Sequence, residues 1–554
     1  RSKKMLGYVV KLTHKTNIKN MKKIQEVIDE NPVLEKNMLL LTKQVSKYYC
    51  CSWGQAIEIA LPPALRKGKK IPGIKNSTTT KIKGNPQRLL IHDLDGTRRW
   101  GMYLEQIKEM LKDNKQVLIL LPNINSVLNA KNLIESSLDA SLAILNRKEP
   151  KEFEEWIKTR EGKANIVIGS RSSIFAPLCN LGLIIIDEEQ DSVYKQDQVP
   201  HYNAREVAFM RSGYERTKLI LGSMTPSLES FYLAKKNKIK YRLISRIEDF
   251  PEIKIIDTKS ERYSRKQKQI ILSKYLEDAI ASCLNSGGKV LLFLNRKGFA
   301  TFASCLICGI VLKCPRCNIN LVYHFKENEL NCHYCNFKME SPKICPTCNS
   351  GYIKFSGTGA EKIESELSRI FVQARIKRLE TQEKLDINNA DIFVATSSII
   401  NKTNYNFDLI GVLGIDNSLN RIDLRSAEKT FALLIGLLGL TKDKIVIQTA
   451  IPTHNCFQAL LKKDINMFYE EELKTRKQLN FPPYRHMILV KLRAKFEDRV
   501  RKVSFSLFER LKESNKNKDI RIISVSPGQP SKLRGNYYWQ LLITSTSAEK
   551  ASTF

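Results

Sequence analysis

Between residues 89 and 246 the chain alternates short aliphatic runs with longer amphipathic stretches. The runs are Val117 to Leu121, Asn165 to Ile168, Leu183 to Ile186 and Lys218 to Leu221. Runs this short, with no polar alternation, predict parallel strands buried on both faces. The amphipathic stretches, Tyr103 to Leu111 among them, predict the crossover helices of a doubly wound α/β lobe. A second set, Val290 to Leu294, Ile392 to Ala395, Ile410 to Leu413 and Ile445 to Ile447, predicts another α/β lobe interrupted by a block of cysteines. Residues 1–66 mix short apolar runs (Tyr8 to Val10, Ala56 to Leu61) with a helical stretch near Met21 to Ile28, and are read as a β-rich N-terminal region. Arg66 to Gln87, rich in Lys, Gly, Pro, Ser and Thr, reads as a linker. After Pro482-Pro483 comes a segment of βαβ character: Met487 to Leu492, Val503 to Leu511, Ile520 to Val525 and Tyr537 to Ile543. The expected organisation is therefore 1–66, a linker over 67–87, a first lobe over 88–246, a second over 247–304 and 349–475 around an insertion at 305–348, and a small α+β domain over 476–554. No repeat of fixed period is present.

The longest uninterrupted apolar stretch, Phe431 to Leu440, lies between Lys429 and Lys442 and falls well short of the ~20 residues a spanning helix needs. Arg1 to Met5 is basic but leads into Gly7-Tyr8-Val9-Val10-Lys11, too brief an apolar run for a secretory signal. The expectation is a cytoplasmic chain with no membrane partner; residue 1 is Arg, not Met, which leaves the true N-terminus open. A length of 554 residues suggests roughly three to four domains. An apolar content of 42% supports real cores and excludes wholesale disorder. Lys and Arg number 91 against 57 Asp and Glu, a surplus of +34. That surplus points to a polyanionic partner, nucleic acid ahead of an anionic membrane surface, because neutralised phosphates release counterions. A genome-wide bias toward Lys, Ile and Asn is the bland source of the same charge.

Eight of the 13 cysteines form four Cys-x-x-Cys pairs: Cys305/Cys308, Cys314/Cys317, Cys332/Cys335 and Cys345/Cys348. Clustering of this kind in a reducing compartment means metal, not disulfides. Each pair offers two thiolates from one tight turn, and two pairs close a tetrahedral zinc. Eight ligands make two all-thiolate sites with no open position for water, so both zincs are expected to hold shape and carry no catalysis. His333 reads as a neighbour of these sites, not a ligand.

The run Leu183 to Gln190 ends an aliphatic strand in Asp187-Glu188-Glu189. At such a strand tip an Asp can hold Mg²⁺ through water and the next Glu can orient an attacking water. With Ile168 to Ser172 before it and Leu219 to Pro226 after, the order resembles the motifs of superfamily 2 helicases. Asp187 to Arg205, Leu291 to Ala300, the eight cysteines, Asp423 to Phe431 and Lys532 to Gln540 together resemble the primosomal protein N′ (PriA) family of replication-restart helicases, over nearly the whole chain. The resemblance implies two RecA-like lobes with a double zinc-ribbon-like insertion and a partial N-terminal DNA-binding domain. It implies a bacterial protein that binds forked or single-stranded DNA, with a single-strand-binding protein and other primosome components as partners. It also implies that Cys305, Cys308, Cys345 and Cys348 hold one zinc, and Cys314, Cys317, Cys332 and Cys335 the other. No winged-helix domain of the family fits into Arg66 to Gln87.

The departures from the family concern the nucleotide. A phosphate-binding loop needs G-x-x-x-x-G-K-[ST], so that backbone N–H groups wrap the phosphates, the Lys reaches them and the hydroxyl takes Mg²⁺. This chain has His92-Asp93-Leu94-Asp95-Gly96-Thr97-Arg98-Arg99-Trp100. Gly96 and Arg99 are its remnants, and Trp100 replaces the hydroxyl. The family's arginine-finger segment is replaced by Leu434 to Leu440, and Val394 to Tyr405 lacks the family's Gly-Thr-Gln. Asp187 and Glu188 then read either as the Mg²⁺ and ATP site or as remnants that pair with a nearby Lys or Arg. DNA contacts are assigned to Tyr194, Lys195, Arg205, Lys532 and Arg534, where cations interleave with aromatic rings. Three readings stand: a DNA-binding scaffold with little or no ATPase, an active 3′→5′ helicase with a diverged loop, or a decaying gene copy.

Overall fold

The computed structural model describes residues 6–12, 23–29, 31–72, 86–94, 96–147, 150–244, 250–265, 271–295 and 302–554. Within the last span 306, 309, 317–319, 325–327, 333–334, 336, 352, 357–359, 380–385, 401–404 and 421–422 are excepted. The chain separates into two compact units, residues 1–245 with 552–554, and residues 246–551.

In the first unit seven strands, β1 (Arg88–His92), β2 (Gln116–Leu120), β3 (Leu142–Leu145), β4 (Ile166–Gly169), β5 (Leu181–Asp187), β6 (Lys218–Ser223) and β7 (Lys240–Leu243), form one sheet in the order β3-β4-β2-β5-β6-β1-β7. Every neighbouring pair is parallel. β2, β4 and β5 are buried at every position, which is why their sequences show no alternation. Successive residues still point to opposite faces. Val117, Ile119, Ile166, Ile168, Leu183 and Ile185 pack with Tyr103, Ile107 and Ile134 on one side. On the other side Leu118, Leu120, Val167, Ile184 and Ile186 meet Val207 and Ala208.

That second face also takes in Leu41, Val45, Ala56 and Ile57 from the N-terminal region. The described residues of this region share the lobe's core. Among the described residues of 1–66 there is no strand; helices occupy Lys36–Tyr48, Trp53–Ala60 and Pro63–Arg66. Among those described residues the β-rich expectation finds no strand. The run Ala56 to Leu61 begins as helix because Ser52 and Gln55 form a capping box at its start, which satisfies two backbone N–H groups that a strand would have paired elsewhere. The helical reading of Met21 to Ile28 also fails where it can be seen, since residues 23–29 adopt no regular structure. Most of the linker, residues 73–85, lies outside the described residues.

The second unit opens with β8 (Glu252–Asp257) and β9 (Val290–Leu294). The cysteine insertion follows, with β10 (Phe302–Cys305), β11 (Val322–His324), β12 (Glu329–Asn331), β13 (Lys338–Glu340) and β14 (Ile353–Ser356). The lobe resumes with β15 (Ile376–Arg378), β16 (Ile392–Ala395), β17 (Phe407–Leu413) and β18 (Thr441–Thr449), giving a parallel sheet in the order β15-β16-β9-β17-β18-β8. β10 pairs with β14, so the insertion reaches beyond residues 305–348 on both sides. Helix Ser426–Leu438 buries Leu434, Ile435, Leu437 and Leu438, so most of the run Leu434 to Leu440 belongs to a core helix of this lobe. Arg476, 1% exposed, ties that helix to the chain beyond, bonding Glu428 of the helix at 3.4 Å, Leu424 O at 2.7 Å, Glu472 at 2.9 Å and Pro482 O at 3.2 Å.

The last segment comprises β19 (His486–Ala494), helix Glu497–Ser514, β20 (Ile520–Leu533) and β21 (Asn536–Ser545). β21 lies antiparallel between the other two, and Trp539 packs on Phe505 of the helix. The βαβ expectation holds, with a third strand inserted between the two parallel ones. Arg534 and Gly535, at φ +50° and +79°, make a two-residue hairpin turn between β20 and β21, the handedness such tight hairpins require.

Candidate functional site

The carboxyl ends of β5, β6 and β1 lie side by side, the position at which open α/β sheets place their ligands. β1 ends at His92 and a helix starts at Gly96, so only Asp93 to Asp95 connect them, too few residues to wrap a phosphate chain. Asp93, fully buried, accepts the backbone N–H of Arg99 at 2.8 Å. A carboxylate thus caps the helix end that would offer its N–H groups to phosphate. The Arg99 side chain, 3% exposed, turns back onto β5: its Nε lies 2.8 Å from Asp187 Oδ1 and its Nη2 contacts Glu188 Oε1. The Nε–H is not aimed at an acceptor, so the Asp187 contact is an ion pair held by charge. Tyr103, one turn further along the helix, donates its hydroxyl to Asp187 at 3.0 Å, and Gln190 donates to Glu188 at 2.7 Å. Glu188 sits at φ +49°, a left-handed conformation that costs a non-glycine residue about 1 kcal/mol.

Burial pushes the Asp187 carboxyl up, opposed by Arg99; burial pulls the Arg99 guanidinium down, but Glu188 and Asp187 hold it well above its usual value. Gly222 at the end of β6 completes the packing, since a Cβ there would lie 1.5 Å from Tyr103 Oη and 2.7 Å from Arg99 Cδ. These residues do not fit a triphosphate with its metal: the connection lacks a cradle and Arg99 fills the space between the acids. Asp187 and Glu188 both pair with this arginine, Asp187 in the interior and Glu188 partly exposed. Tyr103 and Gly222 escaped the sequence reading; spacing four residues from Arg99 was the only signal for Tyr103.

His92 is a second buried titratable group here. Its Nε2 lies 3.1 Å from Met224 O and its Nδ1 2.8 Å from Tyr241 Oη. A carbonyl only accepts, so Nε2 carries the proton and Nδ1 accepts from the tyrosine. Burial pulls its pKa down to about 4. A depressed histidine stabilises the fold above its unfolded value of about 6.5 and loses that contribution as pH falls toward 4, roughly 3 kcal/mol in all. An NMR titration of the His92 ring should show a midpoint near 4, and His92→Gln should lose less stability than wild type between pH 7 and 4. A midpoint near 6.5 would show the ring to be solvated.

The residues assigned to DNA divide. Tyr194 is fully buried, its hydroxyl 3.0 Å from Leu120 O and 2.7 Å from Asp187 O. Arg205 is 5% exposed and pairs with Glu189 at 2.8 Å. Neither presents a surface to a strand, because each polar tip has interior partners. Lys195 is exposed, over the ring of Tyr49 at 5.1 Å. Arg534 is exposed at the hairpin tip, and Lys532 lies half-buried over Tyr537 at 5.0 Å.

In the insertion Cys305, Cys308, Cys345 and Cys348 bring their sulfurs within 4.8 Å of one another, and Cys314, Cys332 and Cys335 do the same. Closest approaches are 3.5 Å for Cys305 and Cys348, 3.7 Å for Cys308 and Cys345, and 3.6 Å for Cys314 and Cys335. Backbone N–H groups of Ile307 and Thr347 point at the Cys305 and Cys345 sulfurs, the knuckle geometry that favours thiolates. Cys317 and His333 lie outside the described residues. Soft thiolates gathered this closely fit zinc.

Two parallel-sheet RecA-like lobes and a cysteine ribbon define a helicase-like fold with a Cys-rich insertion. Residues 1–62 match the 3'DNA-binding domain (3'BD) family, 314–339 the PriA DNA helicase Cys-rich region (CRR) domain, and 477–553 the Primosomal protein N C-terminal domain. Replication restart protein PriA of Rickettsia conorii is 30% identical, covering 98% of this chain and 89% of the relative. That of Bacillus subtilis is 33% identical over 82% of this chain. The chain belongs to the replication restart protein PriA family. It spans 59% of the length of the Bacillus and Synechocystis relatives. Among solved structures, RecG bound to a three-way DNA junction is 14% identical with a TM-score of 0.38, covering 71% of this chain and 44% of that one; likeness at that level does not inform the site. No helix among the described residues is long and apolar enough to cross a membrane.

Proposed function

We propose that this chain is a cytoplasmic DNA-binding replication-restart protein that engages forked or single-stranded DNA and supports primosome assembly without hydrolysing ATP. The observation that carries the reading is Arg99 lodged between Asp187 and Glu188 behind a connection of three residues. In comparable NTPases the missing arginine finger alone is worth ~10³–10⁵ in rate, before loss of the cradle is counted. The +34 surplus supplies the phosphate attraction. A single-strand-binding protein and other primosome components are the partners that family membership suggests. Two zincs hold the insertion, one on Cys305, Cys308, Cys345 and Cys348, the other on Cys314, Cys317, Cys332 and Cys335; they supply folding energy and no catalysis. A second reading, an active 3′→5′ helicase with a diverged loop using Mg²⁺ and ATP, is favoured by the survival of both acids at the end of β5. The test is DNA-stimulated ATP hydrolysis on forked DNA. Wild type is expected to match Glu188→Gln at background; turnover above that control establishes the second reading.

A further inference from the structure

Arg99 contacts three acidic residues at this strand end, Asp93 through its own backbone N–H and Asp187 and Glu188 through its guanidinium. Asp93 takes its backbone N–H at 2.8 Å, and Nη1 donates to Asp93 O at 3.3 Å. Nε stands 2.8 Å from Asp187 and Nη2 against Glu188. Two different nitrogens thus serve two acids, a fork that a lysine point charge does not reproduce. The Asp187 side chain is 8% exposed and Glu188 23%, so water does little to screen Asp187 and reaches Glu188 only in part. Two adjacent interior carboxylates without a cation would repel and carry an uncompensated desolvation cost. Oxygen donors so arranged are what a hard divalent ion collects.

We propose that Arg99 is a resident cation, occupying the position in which Asp187 and Glu188 would otherwise gather a divalent metal ion, and that removing its guanidinium turns this strand end into a divalent-cation site. The proposal rests on the reading that the nucleotide site is closed, and adds the reason for the closure: the lobe carries its counter-ion covalently and needs none from solution. The packing of Gly222 and Tyr103 around the arginine fixes it against the acids.

The probe is Mn²⁺ alone, titrated by EPR into the zinc-loaded full chain, with thermal unfolding followed in parallel. Wild type is expected to leave Mn²⁺ free. Arg99→Ala should bind it at least about tenfold more tightly and gain thermal stability with added Mn²⁺, as a ligand of the folded state must confer. Adding Glu188→Gln to Arg99→Ala should abolish the gain. Equal Mn²⁺ affinity in wild type and Arg99→Ala overturns the proposal, as does a folded Arg99→Ala that binds none. Should Arg99→Ala fail to fold, Arg99→Met keeps the side-chain bulk: folding only with Mn²⁺ present supports the resident cation, and failure with and without it overturns it. ATP turnover by wild type strikes the closed-site reading, whereas a silent wild type with a metal-blind variant strikes the resident cation alone.

Discussion

Cys345→Ser is expected to unfold the outer part of the cysteine insertion, around β10 and β14, while both parallel-sheet lobes stay intact. The insertion has little else to hold it: β11, β12 and β13 are three residues each, and its apolar centre is Ala303, Leu312, Leu321 and Leu330 around Cys314 and Cys332. A core that small cannot offset the entropy of ordering the segment, whereas a structural zinc contributes on the order of 10–16 kcal/mol of coupled folding energy. Cys345 is 1% exposed, with its sulfur 3.7 Å from Cys308, so serine at that position removes a ligand from the interior of the cluster. Zinc content should fall from about two to about one per chain. Amide hydrogen exchange should become unprotected around β10 and β14 and stay slow in β2, β5 and β9. Chelation of wild type should go further and free both clusters. Unchanged zinc content and exchange in Cys345→Ser would refute the assignment.

The sequence made the two sheets legible where strands are buried on both faces, as at Val117 to Leu121 and Val290 to Leu294. It hid the edges. β7 reads Lys-Tyr-Arg-Leu and β8 reads Glu-Ile-Lys-Ile-Ile-Asp; charge placed on edge strands blocks unwanted pairing and erases the aliphatic signal. The N-terminal helix Trp53–Ala60 was obscured for a different reason: Ala-Ile-Glu-Ile-Ala fits period two nearly as well as a helical face, and the deciding contact is the cap at Ser52. At the site, Arg99, Asp187 and Glu188 were each recognisable as motif remnants. Their meeting depends on the strand order β5-β6-β1, which no local pattern encodes. Residue type also misled at Tyr194 and Arg205. Aromatic rings interleaved with cations suit a stacking groove, but whether a polar tip faces a strand or an interior carbonyl is decided by tertiary packing.

Arg205→Ala is expected to cost about 3–5 kcal/mol, the range for stripping one partner from a buried pair. Glu189 is fully enclosed, and beyond Arg205 at 2.8 Å it accepts Ser227 N at 2.7 Å and the hydroxyls of Ser227 and Ser230, each at 3.0 Å. Those donors solvate the carboxylate but carry no charge; among the described residues Arg205 is the cation that neutralises it. Burial pulls the Arg205 guanidinium down, yet Glu189, with Glu229 and Glu206 behind it, raises its pKa overall, so the arginine stays charged wherever the lobe is folded. Arg205→Met with Glu189→Met should recover part of the loss, since apolar replacement of a whole buried pair is often tolerated. Denaturant unfolding measures both variants, and a loss below about 1 kcal/mol for Arg205→Ala would place the pair among weak surface bridges. The same variant decides whether Arg205 touches DNA. Were its guanidinium bound to a phosphate, the substitution would reduce the slope of log K against log salt by about 0.9 in magnitude; an interior arginine should leave that slope unchanged at temperatures where the lobe remains folded.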